Sequence, residues 1–193
     1  MFPIHNLSGK VIAFAGRTLR TDKKIPKYIN SPETEIYNKS NVLYGIFLAR
    51  NTIRKKDECF LVEGYTDVIS LYQAGIENVV AASGTSLTIG QIRLIKRYTK
   101  NITILFDGDP AGIKAALRGI DLILKEEMNV KIVLLPEGED PDSYVKREGR
   151  TGFEAYVKEN SKDFVFFKTD LLLKEANNEP IKRAAAVNDI IQT

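Results

Sequence analysis

The stretch Ile102-Thr103-Ile104-Leu105-Phe106-Asp107-Gly108-Asp109-Pro110-Ala111-Gly112 decides how the rest of the chain is read. Its first five residues form an apolar run with the composition of a buried strand. Two acids separated by a glycine follow, and Pro110 suits the first turn of a helix. An open α/β sheet places its chemistry at such a strand-to-helix turn, and Gly108 lets both acids leave a tight backbone. A purely structural reading competes, with Asp109 as an N-cap and Asp107 as a turn residue. Taken alone, the stretch admits both.

The same pattern recurs on either side. An apolar run from Cys59 to Val62 leads into Glu63-Gly64 and a helical pattern over Thr66–Ala74 ended by Gly75. A second run, Asn78 to Ala82, precedes Ser83-Gly84-Thr85-Ser86 and a helix over 88–98 with Ile89, Ile92 and Ile95 on one side. The quoted strand is followed by Ile113, Ala116, Leu117, Ile120 and Leu124 at helical spacing. The last run, Val130 to Leu135, opens into Pro136-Glu137-Gly138-Glu139-Asp140-Pro141-Asp142. Four strands with three intervening helices predict an α/β fold with a parallel four-stranded sheet joined by right-handed crossovers.

In a parallel sheet all strand C-termini share one edge. Glu63, then Asp107 and Asp109, then Asp140 and Asp142 therefore fall on one side of the molecule. For Glu63 to meet Asp107, strands one and three must be neighbours, which gives the order 2-1-3-4 with a switch point between the acid-bearing strands. Like charges brought together repel unless a cation compensates, and an all-oxygen set selects a hard ion such as Mg²⁺. That shared edge moves the reading of Asp107 and Asp109 from a turn toward a metal site. Asp140 also suits a cap for the short helix begun by Pro141, so Asp140 and Asp142 are the weaker members.

The flanks differ in character. Residues 10–19 read as a strand with a bend or bulge at Gly16. Residues 20–40 are polar and stiffened by Pro26 and Pro32, and Ser40 is the expected cap of a helix carrying Leu43, Ile46, Phe47 and Ile53. The tail reads as helical. Thr151-Gly152-Phe153-Glu154 has capping-box spacing, Phe164, Phe167 and Leu171 line one face of a further helix, and another begins after Pro180.

Charge is balanced in total, with 28 Lys+Arg against 25 Asp+Glu, so its distribution carries the information. Lys10, Arg17, Arg20, Lys23, Lys24, Lys27, Lys39, Arg50, Arg54, Lys55 and Lys56 stand against only Asp22, Glu33 and Glu35 over the same stretch. A basic arm beside an acidic centre suits a polyanion held next to metal ions; a solvated face of mixed charge explains it equally well. One cysteine, Cys59, and one histidine, His5, exclude a disulfide framework and a Cys/His zinc site within this chain. Cys59 opens an apolar run and reads as a core thiol. No signal peptide or membrane-length apolar run is present, so a cytoplasmic location is expected.

The ordered set Glu63-Gly64-Tyr65-Thr66-Asp67-Val68, Asp107-Gly108-Asp109-Pro110-Ala111-Gly112 and Leu135-Pro136-Glu137-Gly138-Glu139-Asp140-Pro141-Asp142 resembles the TOPRIM motifs of DnaG-type bacterial primases. The resemblance extends upstream to Met1-Phe2-Pro3-Ile4, Gly16-Arg17, Pro26-Lys27-Tyr28-Ile29-Asn30-Ser31-Pro32-Glu33-Thr34, Lys39 and Gly45. It covers about residues 1–160. It implies that Glu63, Asp107 and Asp109 are catalytic and bind Mg²⁺, with Mn²⁺ a substitute and Asp140 and Asp142 nearby. It implies that Arg17, Lys27, Asn30 and Lys39 contact nucleotide or template, and Asp67 matches the family's acid after the first motif. The implied domains are the remainder of a basic N-terminal primase subdomain (1–56), a TOPRIM domain (57–149) and the start of a C-terminal helical bundle (150–193).

The implied activity is Mg-dependent nucleotidyl transfer: synthesis of short RNA primers from ribonucleoside triphosphates on single-stranded DNA, by a monomer. The family's zinc module, the start of its polymerase core and its helicase-binding domain have no counterpart in these residues. The chain therefore reads as a catalytic-core fragment, contact with a replicative helicase is expected only through a domain it lacks, and activity of the fragment alone stays open. The competing readings are a TOPRIM-type nuclease and a single-stranded nucleic-acid-binding module without turnover.

Overall fold

The computed structural model describes residues 1–19, 26, 28–83, 86–108, 119–175, 188 and 190. Its centre is a five-stranded sheet in the order β5-β4-β6-β7-β8. Here β4 is Cys59–Val62, β5 Val79–Ala81, β6 Asn101–Phe106, β7 Asn129–Leu134 and β8 Lys162–Asp163. The first four are parallel: Phe60 pairs with Val79, Cys59 with Ile102, and β6 and β7 stay in step from Asn101↔Asn129 to Phe106↔Leu134. The expected four-stranded parallel sheet thus gains a fifth member, β8, which pairs antiparallel with Lys131 and Ile132. β8 is only two residues long and both are exposed, so it carries no hydrophobic pattern.

The strands are apolar on both sides because both faces are covered. Cys59, Leu61, Ile102, Ile104, Phe106, Val130 and Ile132 pack with one set of helices. That set is α1 (Ile46–Lys56), α3 (Ile89–Lys96), helical residues 119–125 (α4) and α6 (Phe164–Glu175). Phe60, Val62, Leu105 and Val133 face α2 (Tyr65–Gln73) and α5 (Pro141–Asn160) through Val68, Leu71, Tyr144 and Phe153. Cys59 is fully buried, as a core thiol should be. Phe164 and Phe167 are buried beneath α6 with Leu171 packed partly against them. α5 is broken at Gly149 (φ 67, ψ −176), so a second helical segment does start near Thr151. The helix expected after Pro180 and most of the one after Asp109 lie outside the described residues. Among the described residues, no helix is long and apolar enough to cross a membrane.

The N-terminal residues form a separate antiparallel sheet of β1 (Phe2–His5), β2 (Val11–Arg17) and β3 (Tyr28–Asn30). Gly16 pairs regularly with Ile29, and the irregularity lies instead between Ile4 and His5. The sequence reading is corrected there, and also at Ser40. Residues 39–41 form one 3₁₀ turn, and α1 begins later, at Ile46, with Gly45 (φ 84) as its N-cap. Tyr44 exchanges two backbone hydrogen bonds with Ala81, at 2.9 and 3.1 Å, and this edge pairing holds the preceding residues out of the helix. A Cβ on Gly45 would come within 3.1 Å of the Val79 carbonyl oxygen.

Candidate active site

The site is built from the turns after β4, β6 and β7, which all open at the same sheet edge. After β4, Glu63 is exposed and Gly64 precedes α2. Asp67, one turn into α2, folds back so that its Oδ2 accepts the Gly64 N–H at 2.9 Å. The fit is close, since a Cβ on Gly64 would lie 2.8 Å from that oxygen. Burial pushes the Asp67 carboxyl up to about 7; the Gly64 hydrogen bond opposes this, while the charges of Asp140, Asp107 and Asp142 add to it. Acids from the other two motifs therefore act on Asp67 across the sheet edge.

After β6, Asp107 is half-buried and Gly108 locks its turn onto the next one. The Gly108 N–H donates to the Glu139 carbonyl at 3.1 Å. A Cβ at Gly108 would stand 2.2 Å from the Pro136 carbonyl oxygen and 2.7 Å from Glu137 Cα. Only glycine permits this approach, which fixes Asp107 beside the Pro136–Asp142 turn. That turn is closed by Glu139 N–H donating to Pro136 O at 3.0 Å, with Gly138 at φ 80.

Asp140 caps α5, its Oδ1 accepting the Ser143 N–H at 2.7 Å while Ser143 Oγ accepts the Asp140 N–H at 3.1 Å. Asp142 is bonded through Oδ1 to Lys146 Nζ at 2.6 Å and to the hydroxyl of Ser70 on α2. Burial would raise the Asp142 carboxyl, but the bonds from Lys146 and Ser70 and the charges of Lys146 and Arg17 outweigh it and hold it below the usual range.

Arg17 thus brings the N-terminal sheet to the acidic edge. Its guanidinium lies 5.6 Å from the centre of the Tyr28 ring, across β2–β3. Asn30 bridges the two sheets, its Oδ1 accepting from Tyr65 Oη at 2.8 Å and its Nδ2 donating to Ser83 O at 3.4 Å. The Tyr65 ring stacks on Phe2 at 5.0 Å and meets Tyr44 edge-on at 4.8 Å. Lys39 lines a small cleft with Tyr37, Tyr65 and Ser83. Its backbone is anchored by buried Gln91, which donates to Lys39 O at 3.0 Å and Val42 O at 2.9 Å.

The structure therefore brings Asp107, Asp140 and Asp142 to one edge, with Arg17 at their margin and Asn30 and Lys39 at the sheet junction. Asp109 and Lys27 lie outside the described residues. Among the described residues, no group of three or more His, Cys, Asp or Glu side chains could hold a metal ion. The five-acid metal set expected from the sequence is not assembled by Glu63, Asp107, Asp140 and Asp142 alone. Asp142 in particular is engaged by a lysine and a serine. Sequence reasoning missed Tyr65, Ser70 and Lys146. Lys146 stands four residues after Asp142 on a helix, a spacing that signals an ion pair; the contact of Ser70 with Asp142 spans 72 residues and leaves no local signal.

Comparison with known proteins matches residues 60–145 to a family described as Toprim-like, and residues 1–50 to the DNA primase catalytic core, N-terminal domain. A DNA primase of Staphylococcus aureus (strain COL) is 43% identical over 180 residues, which is 93% of this chain and 30% of that protein. Among solved structures, a DNA primase domain from Pseudomonas aeruginosa superposes with a TM-score of 0.87 at 42% identity, covering 96% of this chain and 59% of that one. A DnaG primase catalytic domain bound to single-stranded DNA superposes with a TM-score of 0.85 at 38% identity, covering 97% of this chain and 61% of that one. The chain thus spans less than a third of the length of that curated relative.

Proposed function

Because this chain belongs to the DnaG-type bacterial DNA primase family, we propose that it supplies the template- and nucleotide-handling part of a primase. The reaction is RNA primer synthesis on single-stranded DNA from ribonucleoside triphosphates, carried out by the whole enzyme. Within it, residues 1–56 act as the basic subdomain, 57–149 as the TOPRIM domain and 150–193 as the start of a helical bundle. The observation that carries this reading is the convergence of three acid-bearing turns on one sheet edge, where the Gly108 N–H donates to the Glu139 carbonyl and Ser70 of α2 donates to Asp142, with Arg17 acting through its charge on Asp142.

The donor set suits a hard divalent ion, being oxygen throughout, with the turns after β6 and β7 held close together at Gly108. Glu63, Asp107 and Asp109 would hold it, with Asp140 and Asp142 at the margin. Bound there, Mg²⁺, or Mn²⁺ in its place, supplies charge neutralisation for the triphosphate and the attacking primer 3′-hydroxyl. The chain's own residues do the positioning. Arg17, Lys27 and Lys39 offer cationic donors for phosphate, and Asn30 keeps β3 tied to the start of α2, so the basic and acidic halves hold their spacing.

The test is Asp107→Asn combined with Asp109→Asn in the full-length enzyme. Primer synthesis is expected to disappear while circular dichroism and thermal melting stay those of the parent. Undiminished ribonucleotide incorporation by that double variant overturns the assignment. Mg-dependent cleavage of labelled DNA in place of incorporation transfers the site to a nuclease.

A further inference from the structure

We propose that buried Gln91 is a positioning residue for Lys39: through it the first turn of α3 fixes the point from which the lysine ammonium meets a phosphate of a bound single strand. The inference rests on the reading above that Lys39 is such a contact.

The 3₁₀ turn that carries Lys39 is three residues long, buries none of them, and is flanked by extended backbone at Asn38 and Val42. Packing of its own side chains therefore cannot hold it in place. The first turn of α3 does so instead. Gln91 Nε2 donates to Lys39 O at 3.0 Å and to Val42 O at 2.9 Å, bracketing the turn. The Thr88 hydroxyl donates to Ser40 O at 2.5 Å. Gly90 lets the helix come this close, since a Cβ there would stand 2.7 Å from the Ser40 carbonyl oxygen. Gln91 is itself held: it is fully buried, and its Oε1 accepts the Thr88 N–H at 3.1 Å. A buried amide with donors and acceptor all engaged loses bonds in any other rotamer. The remaining bond to this backbone, from Lys39 N–H to Glu33 Oε1 at 3.2 Å, involves an exposed side chain that water can replace. Lys39 lines the cleft with Tyr37, Tyr65 and Ser83. With its backbone clamped, the lysine's flexible stem starts from one fixed point, and less ordering is left to the moment of binding.

The experiment is fluorescence anisotropy of a labelled oligothymidylate titrated with this chain over a range of salt concentrations. Lys39→Ala is expected to flatten the slope of log affinity against log salt by ~0.7. Gln91→Met keeps the length of the side chain and removes both donors; it should take away most of that same ~0.7. Combined with Lys39→Ala it should take away nothing further, whereas combined with Arg17→Ala the two losses should add. Ile92→Val trims the buried face of the same helix, and it should lower the urea midpoint while leaving the slope at the parent's value. A merely structural role for Gln91 would give that second pattern. Should Gln91→Met fail to fold, Thr88→Val removes the bond to Ser40 and is read by the same criteria. A parental slope in the clamp variant, or a loss that adds to that of Lys39→Ala, overturns the proposal. A parental slope in Lys39→Ala itself removes the reading of Lys39 as a phosphate contact, and this inference with it.

Discussion

Asp67 is a carboxyl kept in a place that disfavours its charge. Its value of about 7 in the fold, against 3.8 for an ordinary aspartate, comes first from burial. A carboxyl raised in the folded state stabilises least where it must ionise. Below pH ~4 both states hold the proton and the group is neutral to stability. Between about pH 4 and 7 the unfolded chain releases its proton while the native one retains it, so stability falls; above pH ~7 the loss is complete. Asp67→Asn keeps an oxygen for the Gly64 N–H and removes the titration. Urea denaturation should show the variant gaining on the parent by a few kcal/mol between pH 5 and pH 8, and a pH-independent difference would show that Asp67 is not the group responsible. Gly108 is constrained by space rather than charge. In Gly108→Ala the new methyl meets the backbone of Pro136 and Glu137, so the turns must part at a cost of about 1–3 kcal/mol. A urea midpoint equal to the parent's would show that the turns yield freely.

At the scale of elements, the join between the N-terminal sheet and the central one runs through Tyr65, Asn30 and Ser83. Tyr65→Phe removes the phenol that donates to Asn30 at 2.8 Å and leaves the ring stacked on Phe2. A net loss of about 1 kcal/mol is expected, with faster amide exchange confined to residues 28–30. Paired with Asn30→Ala in a double-mutant cycle, the two losses should overlap; strict additivity would mean that the bond contributes nothing. Which elements the sequence made legible follows from the same contrast of local and distant contacts. The strands at Cys59, Asn101 and Asn129 were readable because burial on both faces leaves continuous apolar runs. Asp140 as a cap was readable because capping is decided within four residues. The start of α1 was not, because Ala81, far along the chain, holds Tyr44 in an extended pairing. β1 and β8 were not, because each exists only through a partner strand. At the site, the shared edge of Asp107, Asp140 and Asp142 was legible, while the bonds of Asp142 to Ser70 and of Asn30 to Tyr65 depend on the finished fold.

Across the whole molecule, the fold sorts the basic residues that the sequence only groups. Arg50 donates to the Leu7 carbonyl and lies 4.7 Å from the Phe47 ring centre. Arg54 lies over Tyr98, and Lys56 reaches Asn78 and Glu154. These three decorate α1 and the covering of the central sheet. Arg17 and Lys39 stand elsewhere, one acting on Asp142 and the other in the cleft beside Tyr65 and Ser83. A single strand laid along the junction of the two sheets would meet that pair and miss the α1 cations. Each phosphate neutralised releases counter-ions, so the logarithm of affinity falls with the logarithm of salt by ~0.7 per contact on single strands. Arg17→Ala and Lys39→Ala should each flatten the slope by about that amount and together by about twice it. Arg54→Ala should leave the slope unchanged. Fluorescence anisotropy of a labelled oligonucleotide, titrated at four or so salt concentrations, reads all three variants. A slope lowered equally by Arg54→Ala would place the strand across α1, away from the acids, and would separate DNA binding from the edge where Glu63 and Asp107 stand.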